Sequence, residues 1–168
     1  NKLADYMRFL ATQAKDKKPF YHHTEIGYNY RMSNVLAAIG VAQMEVIEER
    51  IKRTREVNKI YQKEIGDLFY SFQEERETDR SNMWLTCALM KGEHKPEDLI
   101  AHLEKDNIEA RRLWKPMHEQ PVMQGYKKYI NGNSSLLFLQ GICLPSGSDL
   151  TKQDMKRIIK SIKTFFKK

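Results

Sequence analysis

Gly27-Tyr28-Asn29-Tyr30-Arg31-Met32-Ser33-Asn34 is the stretch from which the organisation of this 168-residue chain is read. Ser33 or Asn34 is a natural helix N-cap. Beyond it Val35, Leu36, Ile39, Ala42, Val46, Ile47, Ile51, Val57, Ile60, Tyr61 and Ile65 keep a 3.6-residue spacing, with Glu48/Lys52 and Glu49/Arg53 as i,i+4 pairs. One long helix, or two nearly collinear ones, is expected, with Gly40 inside the run as a break or a close helix contact. In the extended approach to that helix, alternation puts Asn29, Arg31 and Ser33 on one side and Tyr28, Tyr30 and Met32 on the other. The first side is a candidate anion site: Arg supplies a forked, permanently charged donor, Asn an amide, and the helix start its N–H groups and positive dipole end. The alternative is an ordinary capped helix whose Arg31 pairs with a neighbouring acid such as Glu25. Spacing alone leaves both open.

Upstream, Leu3, Tyr6, Met7, Leu10 and Ala14 predict a helix over about residues 2–14, closed by the polar stretch Lys15 to Lys18 and Pro19. The chain starts within this pattern and without Met, so it is expected to be a fragment of something longer. Downstream of Gly66, the run Met83 to Met90 predicts a largely buried strand ended by Gly92. Pro96 at a first helical position, Glu97 and Asp98 in the first turn, and Leu99, Ile100 and Leu103 predict a short helix that Asn107 closes in a left-handed conformation. A second strand is expected from Ile108 to Trp114. Leu144 to Ser148 is turn chemistry leading to a last helix, where Thr151 and Asp154 resemble a capping box and Leu150 can staple onto Met155. Its apolar face is Ile158, Ile159, Ile162, Phe165 and Phe166. Strand, helix, strand and helix over residues 67–168 predict an α+β lobe, with its boundary inside the long helix rather than in a linker.

Composition bounds the function. An apolar fraction of 40% and 30% charged residues leave no run near the ~20 residues that span a bilayer, so no membrane role is expected. Nothing at the start of the chain reads as a signal peptide, and a cytoplasmic location is the default expectation. Cys87 and Cys143 lie far apart without metal spacing and are expected to be buried free thiols. No metal site is expected: His22 and His23 are adjacent loop residues that do not converge as ligands. Against 22 acids, 29 Lys and Arg give a net charge of +7, which favours anionic partners, although much of the excess can be the solvated face of the last helix. A second candidate cluster is Arg111-Arg112-Leu113-Trp114-Lys115-Pro116-Met117-His118. There Trp114 can stack on a base or sugar, Arg and Lys can meet a diphosphate, and His118 can donate to sugar or phosphate oxygens; a core Trp with solvated charges is the alternative.

His23-Thr24-Glu25-Ile26-Gly27-Tyr28-Asn29-Tyr30-Arg31-Met32-Ser33-Asn34, then Val35 to Gly40, resembles the DegT/DnrJ/EryC1/StrS aminotransferases. The likeness continues in Trp114-Lys115-Pro116-Met117-His118-Glu119-Gln120-Pro121 and Gly141-Ile142-Cys143-Leu144-Pro145-Ser146-Gly147, in family order, and so covers essentially the whole chain; it is nearest the bacillosamine and exopolysaccharide enzymes. It implies the C-terminal part of the aspartate aminotransferase fold: residues 1–41 as the tail of the large cofactor domain, 42–66 as a connecting helix and 67–168 as the small domain. It further implies a homodimer in which pyridoxal phosphate passes an amino group from glutamate to a nucleotide-linked 4-keto-6-deoxy sugar. The resemblance assigns Asn29 and Arg31 to the cofactor phosphate of the partner subunit, and Trp114, Lys115 and His118 to the nucleotide-sugar side. It puts the Schiff-base lysine upstream of the matched region, so that no catalytic residue is nominated in this chain, Lys2 included, and the chain alone is expected to be inactive. At Arg112 the sequence departs from relatives that commonly carry Pro. Relatives that dehydrate sugars replace the lysine by histidine, so a dehydratase of the same fold is the first alternative. A basic nucleic-acid-binding module is the second, against which dispersed charge and the lack of a recognised motif both weigh.

Overall fold

The computed structural model describes residues 1–167, which divide into two compact units, 1–47 and 48–167. The first unit begins with helix α1 (Lys2–Ala11), capped by Asn1, whose side chain accepts from the Leu3 amide at 3.2 Å. The helix stops three residues before the expected end. The Thr12 hydroxyl donates to the Arg8 and Phe9 carbonyls at 2.9 and 3.0 Å, and Gln13 and Ala14 both turn left-handed, at φ 66° and 48°. The Ala14 amide reaches back to the Phe9 carbonyl at 3.0 Å, so the last carbonyls find donors without another helical turn.

Helix α2 runs unbroken from Asn34 to Ile65, and its residues 34–47 belong to the first unit. Ser33 is the cap, its hydroxyl accepting from the Leu36 amide at 3.3 Å, and Gly40 breaks nothing. Only Val57, Asn58, Tyr61 and Ile65 of the helix are buried, although the apolar periodicity runs its whole length.

In the second unit strands β1 (Phe69–Phe72), β2 (Thr86–Met90), β3 (Arg111–Arg112) and β4 (Gly141–Leu144) form an antiparallel sheet in the order β1-β2-β4-β3. Helices α3 (Pro96–Glu104), α4 (Asn133–Gln140) and α5 (Lys152–Phe165) complete it. The expected strands are shorter than their apolar runs, 83–90 contracting to Thr86–Met90 and 108–114 to two residues. β1, α4 and β4 are additions to the expected strand-helix-strand-helix order. Two end signals hold as read: Asn107 closes the α3 turn at φ 53°, and Thr151 and Asp154 form a reciprocal capping box with bonds of 3.0 and 3.1 Å. One sheet face packs Ala88, Met90, Ile142 and Leu144 against Leu99 and Leu103 of α3, Ile158 and Ile162 of α5, and Tyr61 and Ile65 of α2. Leu150 and Met155 join this core on either side of the cap. The buried Tyr61 hydroxyl donates to the Pro145 carbonyl at 2.9 Å, and burial raises its pKa. No helix among the described residues is long and apolar enough to cross a membrane.

Candidate functional site

The extended stretch before α2 is fixed by main-chain bonds to the end of α1. The Tyr28 amide donates to the Leu10 carbonyl at 2.9 Å, the Tyr30 amide to Ala11 at 3.0 Å, and Gln13 returns a bond to the Tyr28 carbonyl at 3.0 Å. Thr12 and Asn29 form an antiparallel bridge between them. Gly27 permits the approach: a Cβ there would lie 2.3 Å from the Ala14 amide nitrogen. The Tyr28 and Tyr30 rings stack on one side, centroids 5.2 Å apart, which fits the expected alternation.

Asn29 and Arg31 are exposed, and neither side chain has a hydrogen bond or ion pair among the described residues. The alternative partner for Arg31 is engaged elsewhere. Glu25 accepts from the Tyr6 hydroxyl, a bond that raises the Tyr6 pKa. The loop histidines brace their own loop: His22 Nδ1 meets Asp16 at 2.7 Å and holds that carboxyl below its usual range, and His23 Nδ1 meets the Gln13 carbonyl at 2.9 Å. The result is an amide, a guanidinium and the first N–H groups of α2 within one short stretch, chemistry suited to a phosphate or carboxylate.

The second cluster lies in the second unit, around a cleft of about 290 Å³ whose wall includes Trp84, Trp114, Arg111, Arg112 and Cys143. Trp114 is no core residue. It is 66% exposed, and its indole sits 6.5 Å from that of Trp84, itself 67% exposed. The two guanidinium charges are already answered. Arg111 donates to Glu109 at 2.8 Å, while Arg112 donates to Glu97 and the Phe138 carbonyl and lies 4.1 Å over the Phe138 ring. Lys115 is exposed and without an ion pair among the described residues, but neither it nor His118 is in the cleft wall. His118 is 18% exposed, with Nε2 3.3 Å from the Ser135 hydroxyl and 3.6 Å from Glu119. The sequence reading missed Trp84, which the apolar run 83–90 hides as a strand residue. The signal was local: Asn82 accepts from the Trp84 amide at 3.0 Å and Met83 is left-handed at φ 49°, so Trp84 belongs to a turn.

Residues 1–163 match the sequence pattern of the DegT/DnrJ/EryC1/StrS aminotransferase family. EpsN of Bacillus subtilis, whose name assigns it provisionally to the pyridoxal phosphate-dependent aminotransferases, is 40% identical over 164 residues, covering 95% of this chain and 42% of its own length. GDP-perosamine synthase of Escherichia coli O157:H7 is 35% identical over 147 residues, 87% of this chain and 40% of that protein. Among solved structures, a DegT DnrJ EryC1 StrS aminotransferase from Brucella abortus superposes with a TM-score of 0.80 at 23% identity, over 99% of this chain and 44% of its own, and shares the fold. The chain therefore spans less than half the length of the relatives it matches.

Proposed function

The chain belongs to the DegT/DnrJ/EryC1/StrS aminotransferase family, and from that premise we propose that it is the C-terminal portion of a pyridoxal phosphate-dependent enzyme. The enzyme moves an amino group from glutamate onto the ketone of a nucleotide-linked 4-keto-6-deoxy sugar, in the cytoplasm, for glycan synthesis. The observation that carries this reading is the donor pair Asn29 and Arg31, exposed at the mouth of α2 without a partner among the described residues.

These donors fit a phosphate dianion. A guanidinium in no internal ion pair offers two parallel N–H bonds, the Asn29 amide a third, and the α2 start a favourable dipole. On this reading they hold the cofactor phosphate of the partner subunit in a homodimer, and the main-chain bonds to α1 set their aim. The cofactor, when bound, supplies the electron sink that makes the donor's α-proton acidic. The lysine that holds it is assigned to the part of the relatives' length that this chain does not span. Trp114 presents an exposed face on which a base or sugar stacks, a contact worth ~1–3 kcal/mol where measured for bases. The Lys115 ammonium, without an ion pair among the described residues, is available to the diphosphate. His118, fixed through Nε2 by Ser135 and Glu119, keeps its second ring nitrogen for a sugar or phosphate oxygen.

Two measurements test the proposal. The full-length protein given glutamate and a nucleotide-linked 4-keto-6-deoxy sugar should yield 2-oxoglutarate and a sugar nucleotide of amino-sugar mass; absence of both products overturns the reaction. Pyridoxal phosphate should give a stable visible band with the full-length protein and none with the 168-residue chain alone. A stable band in the shorter chain would place the cofactor lysine among these residues.

A further inference from the structure

The sheet brings together two cysteines that are remote in sequence. Cys87 and Cys143 are direct partners in the β2–β4 register, with Sγ atoms 3.7 Å apart. The Cys87 amide donates to the Gln73 side chain, and its carbonyl accepts from the Gln73 amide at 3.0 Å. Both main-chain groups thus point toward β1, which makes Cys87 and Cys143 a non-hydrogen-bonded pair, the position where antiparallel strands bring side chains closest. A disulfide spans such a separation. Both thiols lie on the sheet face away from the core, because Thr86, Ala88 and Met90, together with Ile142 and Leu144, point the other way. Cys143 is only 6% exposed, and it forms part of the wall of the cleft beside Trp84, Trp114 and Arg111.

The two thiols are unequal. The Cys143 thiol is hydrogen-bonded to Cys87 and is the cross-strand partner of Arg111, and both neighbours hold its pKa below the usual thiol range. The same hydrogen bond, together with burial, pushes Cys87 up. The Arg111 charge across the strand favours the thiolate at Cys143, and Cys87, with its Sγ 3.7 Å away, is placed to resolve whatever forms there.

We propose that Cys87 and Cys143 are a redox-modification site that accepts a small-molecule disulfide through the Trp84–Trp114 cleft and closes to a cross-strand disulfide. The Cys143 thiolate attacks one sulfur of the incoming disulfide, and the displaced thiolate takes up a proton. Cys87 then gives its proton to solvent and attacks Cys143 Sγ, displacing the second small thiolate. The protein loses two electrons and two protons, the incoming disulfide becomes two thiols, and no other oxidant enters. The site is independent of the aminotransferase reading.

Oxidised glutathione added to the folded full-length protein, followed by peptide mapping without reductant, tests this. A linked Cys87–Cys143 peptide pair, two hydrogens lighter and restored by dithiothreitol, is expected. Cys87→Ser should stop at a glutathione adduct on Cys143, and Cys143→Ser should slow adduct formation at Cys87 roughly tenfold or more relative to that adduct. Two free thiols in the treated wild type, an adduct in Cys87→Ser located on any other residue, or equal labelling rates in the two variants would each overturn the proposal.

Discussion

The two units differ in where their apolar and cationic side chains go. Residues 48–167 bury Tyr61, Ile65, Leu99, Leu103, Ile142, Leu144 and Ile162 in one cluster, and most of their arginines are matched to acids, among them Arg55 to Glu75 at 2.7 Å and Arg112 to Glu97. Residues 1–47 bury one apolar residue, Ala14, among those described, leave Val35, Leu36 and Ile39 more than half exposed, and leave Arg31 without an ion pair. The contrast separates two uses of the same residue types. In the second unit apolar contacts and ion pairs hold a fold; in the first, main-chain hydrogen bonds and a few local side-chain bonds hold a shape, while the apolar face near Val35 and the Arg31 guanidinium stay available to something else.

The comparison breaks most readily at the core. Leu99→Ala removes a fully buried side chain and should cost about 2–5 kcal/mol, read as a lower urea midpoint for the 168-residue chain. Arg31→Ala should weaken pyridoxal phosphate retention by the full-length protein by about 1.5–3 kcal/mol, on the order of 10- to 150-fold in Kd. Arg111→Ala, whose charge already faces Glu109, should leave retention unchanged; equal losses would remove Arg31 from the phosphate site. Gly27→Ala forces a Cβ onto the Gln13–Ala14 main chain, which cannot swing aside, and should cost about 1–3 kcal/mol. Gly40→Ala, with nothing within 4 Å, should be neutral or stabilising by up to about 1 kcal/mol.

A pH titration probes the second unit's ion pairs. Hydrogen bonds from Arg55 and from the Ser81 amide hold Glu75 at about 2. A depressed carboxylate contributes stability that is complete above its unfolded value and lost as pH falls through the folded one, so stability should decline from about pH 4.5 toward 2. Glu75→Gln should flatten that slope in acid-unfolding curves; an unchanged slope would assign it to other carboxylates. The smallest effect is expected for Ile39→Ala, 54% exposed, at under about 0.5 kcal/mol in the 168-residue chain. A loss like that of Leu99→Ala would show that this face is covered in solution.

Chain ends of elements were legible because their chemistry is local: the Ser33 cap, Pro96 at the α3 start, the left-handed Asn107 and the Thr151–Asp154 box each depend on a few neighbouring residues. Pairing was not. β1 and β4 are four residues each, too short for periodicity to speak, and the need for glycine at Gly141, where a Cβ would meet Leu113 and the Leu137 carbonyl, is set by packing rather than by neighbours in sequence. The meeting of Cys87 with Cys143 depends on strand register, which no spacing along the chain encodes. Periodicity also overstated α2, since the same pattern covers the buried positions near Val57 and the exposed ones near Val35. At the candidate site the alternation of Asn29 and Arg31 was readable, whereas the freedom of Arg31 depended on Tyr6 occupying Glu25, a contact across nineteen residues.

The bonds from Leu10, Ala11 and Gln13 to Tyr28 and Tyr30 join backbone to backbone, so they are indifferent to which side chains α1 carries. Drift in the identities of those residues is therefore tolerable in a lineage, but a slip in the pairing of the two segments is not. A slip of one position would carry tyrosines to the place where the amide and guanidinium now stand.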